Sequence, residues 1–283
     1  MTLLLQISDT HFGTERPQVV AALLRLADAL SPDLVVLSGD ITQRARRQQF
    51  TAARAFVDAL GATPTLVVPG NHDIPLFNPL ARLCYPYANH QRVFGADLEP
   101  GFESPDLLVL GVNTTRAYRH KNGEVSMRQI RRVAARLEAA SAAQLRVVVT
   151  HQPVAVTRAQ DEKNLLHGRE RAVQRWARAG ADLILGGHIH LPYVLPLHDT
   201  FAGLSRRVWA VQAGTALSRR TRGTIDNSVN VIRHDAQACD GGARQTTVER
   251  WDYSETGEAF EMIARHELAL DGAKPVAALT LPG

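Results

Sequence analysis

Short apolar runs that each end in a polar turn recur along the first two thirds of this chain, and that rhythm restricts the fold more than any other feature. Residues 3–7 lead into Ser8-Asp9-Thr10-His11, residues 34–37 into Ser38-Gly39-Asp40, and residues 66–68 into Pro69-Gly70-Asn71-His72-Asp73. Between them lie helical spacings: Val20, Leu23, Leu24, Ala27 and Leu30 after Pro17, then a stretch from about 46 to 60. Buried strands alternating with amphipathic helices predict a parallel sheet, with function on the loops at the strands' carboxyl ends.

The rhythm returns after a gap. Residues 107–112 read as a strand, and Ser126 with Gln129 forms a capping-box signature for a helix carrying Ile130, Val133, Ala134 and Leu137. A strand at 146–149 ends in Thr150-His151-Gln152-Pro153, a helix follows at about 170–179, and a strand at 183–185 ends in Gly186-Gly187-His188-Ile189-His190. Residues 193–197, 208–212, 228–233 and 247–253 read as shorter strands, expected to form a second sheet against the parallel one. From about 75 to 106 periodicity fails among Pro75, Pro79, Pro86, Pro100 and Pro105, which predicts an insertion or lid. Within it, Cys84, Tyr85 and Tyr87 suggest a small satellite core or a stacking wall. One domain over 1–270, with a C-terminal tail at 271–283, is the expected organisation.

Composition narrows the function classes. A hydrophobic share of 45% with 21% charged residues describes a folded globular chain. The formal charge of +4 is spread along the sequence, with lysine only at 121, 163 and 274, so no dedicated nucleic-acid face is expected. Cys84 and Cys239 are far apart and outside any CxxC spacing, which argues against a disulfide framework and a thiolate metal site. Without a signal-peptide pattern or a membrane-length apolar run, a cytoplasmic setting is expected.

Five loops supply one kind of hardware: Asp9 and His11, Asp40, Asn71 with His72 and Asp73, His151, and His188 with His190. Singly each has a bland reading, as a helix cap, a tight turn or a hydrogen-bonded histidine. Together, all at strand ends, they predict a cluster of oxygen and imidazole ligands suited to borderline divalent metals. Gly186-Gly187 would supply the bend that brings His188 and His190 to one place.

These residues, in the order Asp9-x-His11, Gly39-Asp40, Gly70-Asn71-His72-Asp73, His151 and Gly187-His188-x-His190, resemble the signature of calcineurin-like metallophosphoesterases. The phrasing around them is similar to bacterial class III cyclic nucleotide phosphodiesterases. The resemblance implies a four-layer αββα sandwich with two mixed β-sheets. It implies two divalent or mixed-valence transition-metal ions (Mn, Fe, Zn or Co), one held by Asp9, His11 and His190, the other by Asn71, His151 and His188, with Asp40 bridging. A hydroxide bridging the ions would attack phosphorus, and His72 would act on the leaving group as the catalytic histidine.

The expected activity is hydrolysis of a cyclic nucleotide or similar small phosphodiester. The alternatives are a phosphomonoester or pyrophosphate, nucleotide or lipid-linked, and a non-catalytic binding module. One departure concerns His72: where many relatives carry a second acid after Gly-Asp, this chain has Gln43, so Asp73 is the candidate to orient the ring. Arg44 matches a phosphate-gripping arginine of the phosphatase branch, and Arg222, in the basic run Arg219, Arg220, Arg222, is a further substrate-binding candidate. Asn113-Thr114-Thr115 either lines the cleft or caps its strand.

Overall fold

Leu3, Leu5 and Ile7 leave the first strand on one face and Leu4 on the other, and all are buried. A strand apolar on both faces must be covered on both, so the chain builds layers. The computed structural model describes residues 1–240 and 243–272, without the side chains at 237–240 and 243–244. In chain order its elements are β1 (Thr2–Ile7), α1 (Pro17–Leu30), β2 (Leu34–Ser38), α2 (Arg47–Ala59), β3 (Thr65–Val68), α3 (Pro79–Cys84), α4 (Ala88–Phe94), β4 (Gly101–Glu103), β5 (Leu107–Gly111), α5 (Met127–Ala139), β6 (Leu145–Val149), α6 (Arg169–Ala179), β7 (Leu183–Gly186), β8 (Tyr193–Pro196), α7 (Leu197–Thr200), β9 (Trp209–Gln212), β10 (Ser228–Asp240), β11 (Ala243–Ser254) and β12 (Ala259–Leu270).

Two sheets result, in the orders β12-β11-β10-β1-β2-β3 and β4-β5-β6-β7-β9-β8. Both are mixed. Strands β1, β2 and β3 are parallel, while β10 pairs antiparallel with the other edge of β1, placing Leu4 opposite Ile232. In the second sheet β5, β6, β7 and β9 are parallel, flanked by antiparallel β4 and β8.

Three apolar cores define four layers. Leu3, Leu5 and Val35 pack under Leu23 of α1 and Phe56 of α2; Leu4, Val36 and Val68 meet Val109, Val147 and Leu185 between the sheets; Leu110, Val148 and Ile184 pack under Val133 of α5 and Trp176 of α6. This is the αββα sandwich. The sequence-based partition needs one correction: the parallel strands are divided between the two sheets, and the late strands complete both rather than forming the second. The physical reason is that the buried second edge of β1 needs a backbone partner, which β10 supplies over Thr2 to Gln6.

The segment 75–106 is less irregular than its prolines suggest. It forms α3, α4 and the edge strand β4. Tyr87 Oη lies 2.7 Å from Thr115 Oγ1 and donates to the Thr115 carbonyl at 3.1 Å, so it anchors the segment, whereas Cys84 and Tyr85 are exposed and form no core. Strand β12 also escaped the sequence reading, because its residues are mostly exposed and do not alternate cleanly. Most of the expected tail, 273–283, lies outside the described residues. Among the described residues, no helix is long and apolar enough to cross a membrane.

Candidate metal centre

The loops after β1, β2, β3, β6 and β7 meet at one rim of the sandwich, tied together through their backbones. Asp9 N–H donates to the Gly39 carbonyl at 3.1 Å and His11 N–H to the Asp40 carbonyl at 3.0 Å, so the first two loops run side by side. The third turns sharply into a 3-10 turn, Asn71–Asp73, whose His72 N–H donates to Asp40 Oδ1 at 2.8 Å. Gly70 permits that approach, since a Cβ there would lie 2.0 Å from the Asp40 amide nitrogen.

Six of the seven candidate ligands fall into two groups, and Asn71 lines the same cavity. Asp9, His11 and His190 form one group, and Asp40, His151 and His188 another, each with its ligand atoms within 4.8 Å of one another. The groups touch: His11 Nε2 is 3.1 Å from His190 Nε2 and 3.8 Å from Asp40 Oδ2. Asp9, His11, Asp40, His188 and His190 all take positive φ, between 43° and 72°. Left-handed backbone costs a non-glycine residue roughly 1–3 kcal/mol, so its concentration here shows that the fold holds these side chains against local preference. The bend at Gly186-Gly187 falls instead on the histidines. Gly187 contributes room, because a Cβ would sit 2.0 Å from Ser8 Oγ.

Hydrogen bonds on one ring nitrogen turn the other toward the carboxylates, His151 Nε2 at 3.2 Å from Asp40 Oδ1 and His190 Nε2 at 3.2 Å from Asp9 Oδ1. His151 Nδ1 donates to the Ser38 carbonyl at 2.9 Å and His190 Nδ1 to the Arg220 carbonyl at 2.5 Å, so in the neutral rings both Nε2 atoms carry lone pairs. Burial, with smaller opposing pulls from Asp40 and Asp9, holds His11 at about 3. Burial and then the charge of His151 hold His188 at about 3 as well. Both rings are therefore neutral and able to ligate. Burial works against charge on Asp9, yet His190 and His151 outweigh it and hold the carboxyl at about 2. At Asp40 the neighbouring His151 and His72 likewise outweigh burial and keep the carboxyl low. His151 is opposed by burial, but Asp40 and Asp9 raise it to about 9.

Do these residues fit metal ions? Asn71 Oδ1 and His188 Nδ1 are buried atoms without a hydrogen-bond partner, and His151 Nε2 faces only Asp40 Oδ1 at 3.2 Å. A buried polar atom left unpaired costs about 1–3 kcal/mol, and two such atoms beside clustered carboxylates and imidazoles make the donor set of a cation site. The set is all nitrogen and oxygen, and it fits.

The remaining candidates separate. Asp73 is buried, and its carboxylate accepts from the Ile41, Thr42 and Gly70 amides and from Thr42 Oγ1, at 2.8 to 3.0 Å. It ties the second and third loops together and does not orient His72, because successive residues of the 3-10 turn point in different directions. Burial and the nearby Asp40 charge raise its carboxyl to about 6. His72 is positioned instead by the Gln43 backbone, which accepts from Nδ1 at 2.9 Å. Arg44 lies beside the site with its guanidinium 5.3 Å from the Phe77 ring centroid. Arg222 is held by Asp161 through two 2.9 Å bonds and donates to the Ile189 carbonyl, so its charge is already paired.

Two residues went unrecognised as site members. Arg220 Nη1 lies 3.2 Å from His72 Nε2, 3.3 Å from His11 Nδ1 and 3.1 Å from Gln43 Oε1. The basic run flagged the segment but not which arginine reaches inward. Lys121 lines the same cavity from the loop after β5, and nothing in its sequence context marks it. Asn113 and Thr114 are structural: Asn113 Oδ1 accepts from Thr115, and Thr114 Oγ1 donates to Gln152 at 2.5 Å.

Comparisons with known proteins agree with this geometry. The family model described as calcineurin-like phosphoesterase matches residues 2–192. A glycerophosphodiester phosphodiesterase GpdQ of Enterobacter lignolyticus (strain SCF1) is 38% identical over 82 residues, a match spanning 25% of this chain and 29% of that protein. A purple acid phosphatase from yellow lupin (Lupinus luteus) seeds superposes with a TM-score of 0.71 at 13% identity, over 95% of this chain and 54% of its own. A dimetal phosphatase from Danio rerio gives 0.61 at 14% identity, over 95% and 99%. The chain thus spans about half of the lupin enzyme and less than a third of the phosphodiesterase in alignment.

Proposed function

This chain belongs to the calcineurin-like phosphoesterase family, and from that footing we propose that it is a dinuclear metal-dependent hydrolase of small phosphodiesters, cyclic nucleotides among them. The observation that carries the reading is the convergence of six Asp and His side chains in two adjoining groups, with the buried Asn71 Oδ1 and His188 Nδ1 lacking any hydrogen-bond partner beside them. Asp9, His11 and His190 would hold one ion, Asn71, His151 and His188 the other, and Asp40 would serve both. When bound, such ions supply Lewis acidity toward phosphoryl oxygens and lower the pKa of the attacking water.

The chain's own groups do the positioning. The Ser38 and Arg220 carbonyls orient His151 and His190, and the Asp73 carboxylate holds the loops of Asp40 and Asn71 in register. With Nδ1 engaged by Gln43, His72 presents Nε2 to the cavity, where the protonated ring can donate to the departing ester oxygen as its bond to phosphorus breaks. Arg220 lies alongside as a donor toward the phosphoryl oxygens.

The diester assignment is supported by the partial match to a glycerophosphodiester phosphodiesterase. Comparing bis-p-nitrophenyl phosphate with p-nitrophenyl phosphate, on protein loaded in turn with Mn, Fe, Zn and Co, tests it: clear preference for the monoester refutes it. A second reading, a lipid-linked pyrophosphate, draws on the exposed Leu76 lining the adjoining cavity and the exposed Phe77 against Arg44. A silent binding module is disfavoured by the complete ligand set, and activity lost in Asp40→Ala would dispose of it. A cytoplasmic setting belongs to the same proposal, supported by the free, exposed thiol of Cys84.

A further inference from the structure

Two cavities share one wall beside the metal ligands. The smaller, about 150 Å³, is lined by Asp40, His188 and His190 and takes the reacting phosphorus on the reading above. The larger, about 290 Å³, lies on the other side of Asn71, His72, Lys121 and Arg220, the residues the two have in common. A diester has two arms, and this cavity is the one that opens beside His72, whereas a further cavity of about 330 Å³ adjoins the His188 and His190 side.

The larger cavity is one-sided in charge. Arg44, Arg82, Lys121 and Arg220 line it, with His120, and no carboxylate does. Arg82 is buried to 8% exposure and its guanidinium donates to the carbonyls of Pro75, Ala117 and Arg119, all neutral acceptors. Arg220 donates to the Gln43 side-chain oxygen, a neutral acceptor, in contrast to Arg222, whose charge Asp161 cancels. Four cations gathered around one space without a counter-charge repel one another, and an anion placed among them relieves the repulsion. Ile74 and Leu76 add an apolar wall suited to the short carbon chain joining that anion to the scissile phosphate.

Resting on the phosphodiesterase reading, we propose that this cavity is a subsite for an arm bearing its own anionic group, best a second phosphate, and that Lys121 with Arg220 selects for it. Guanidinium and ammonium donors discriminate by charge and, for arginine, by the fork geometry that suits phosphate. The selection should appear in KM, because the second anion is bound before and during the reaction alike.

Methyl phosphodiesters whose other arm is a short chain ending in phosphate, carboxylate, hydroxyl or trimethylammonium test this, with products followed by phosphorus NMR. Expected is a kcat/KM for the phosphate arm about tenfold or more above the hydroxyl arm, carried by KM, with trimethylammonium poorest. Lys121→Met, and separately Arg44→Met, should shrink the phosphate-to-hydroxyl ratio measured within each variant. Equal values across the arms, preference for trimethylammonium, or a ratio unmoved by both substitutions would overturn the proposal. If no diester is turned over with any metal, the phosphodiesterase reading fails instead, and equilibrium dialysis of 2-hydroxyethyl phosphate against the metal-depleted chain decides the subsite. Retention weakened by Arg44→Met, at a residue that lines only the larger cavity, supports it; no retention, or equal retention by the variant, defeats it.

Discussion

His72 Nδ1 lies 2.9 Å from the backbone carbonyl oxygen of Gln43. A carbonyl only accepts, so Nδ1 carries the hydrogen and Nε2 faces the cavity. Because the partner is a backbone atom, the side chain at 43 is not what holds the ring. Gln43→Ala should therefore keep kcat within about fivefold, whereas His72→Ala should lose about 10²–10⁴ and still retain its metal. Steady-state rates with bis-p-nitrophenyl phosphate and metal analysis by mass spectrometry check both. Equal losses in the two variants would show that the backbone contact is not the positioning element, and an empty site in His72→Ala would make the ring a ligand.

The candidate ligand atoms beside Asp40 predict which variants lose an ion. Asn71→Ala and His151→Ala each remove one of them and should bind about one ion per chain where the parent binds about two. Inductively coupled plasma mass spectrometry after equilibrium loading reads this directly; parental stoichiometry in both variants would remove Asn71 and His151 from the ligand set.

Gly70 should tolerate no side chain. Its added Cβ would lie 2.0 Å from the Asp40 amide nitrogen and 2.2 Å from Oδ1, atoms fixed by the loop ladder. Gly70→Ala is expected to destabilise by about 2 kcal/mol or more and to weaken metal uptake. Gly101→Ala on β4, whose Cβ would meet nothing closer than 3.6 Å, should cost under about 1 kcal/mol. Urea denaturation of the pair separates close approach from a general glycine effect.

His90 gives the apo protein an acid sensitivity outside the site. It is buried between Phe50 and Phe94, and burial lowers it to about 4 from 6.5. Its folded pKa lies below the unfolded one, so the unfolded chain binds the extra proton. Stability is therefore full above about 6.5 and falls as pH drops toward 4. Between pH 7 and 5 the loss from this residue is about 2 kcal/mol. His90→Phe should flatten that part of the profile, as measured by urea denaturation in the presence of a chelator; an unchanged slope would exclude His90 as its source.

Much of the architecture was legible because the signals are local. The apolar runs at β1, β2, β3, β5, β6 and β7 and the capping box of α5, in which Ser126 and Gln129 bond each other's backbones, need only their own neighbours to be recognised. The insertion helices α3 and α4 were hidden by prolines that sit at their starts or in their connections, and β12 by an exposed face without alternation.

The sequence by itself determined the candidate ligands, the strand ends that carry them and the family, since all three depend on residue type at positions along the chain. Only the tertiary structure decided that Gln43's carbonyl rather than Asp73 holds His72, that Arg220 reaches His72 while Arg222 on the same cavity wall is paired with Asp161, and that Lys121 stands on the wall between the two cavities. Those outcomes depend on the direction a side chain takes once distant loops are packed together. Direction is set by backbone torsions and by competing partners such as Asp161, neither of which a residue's neighbours in sequence reveal.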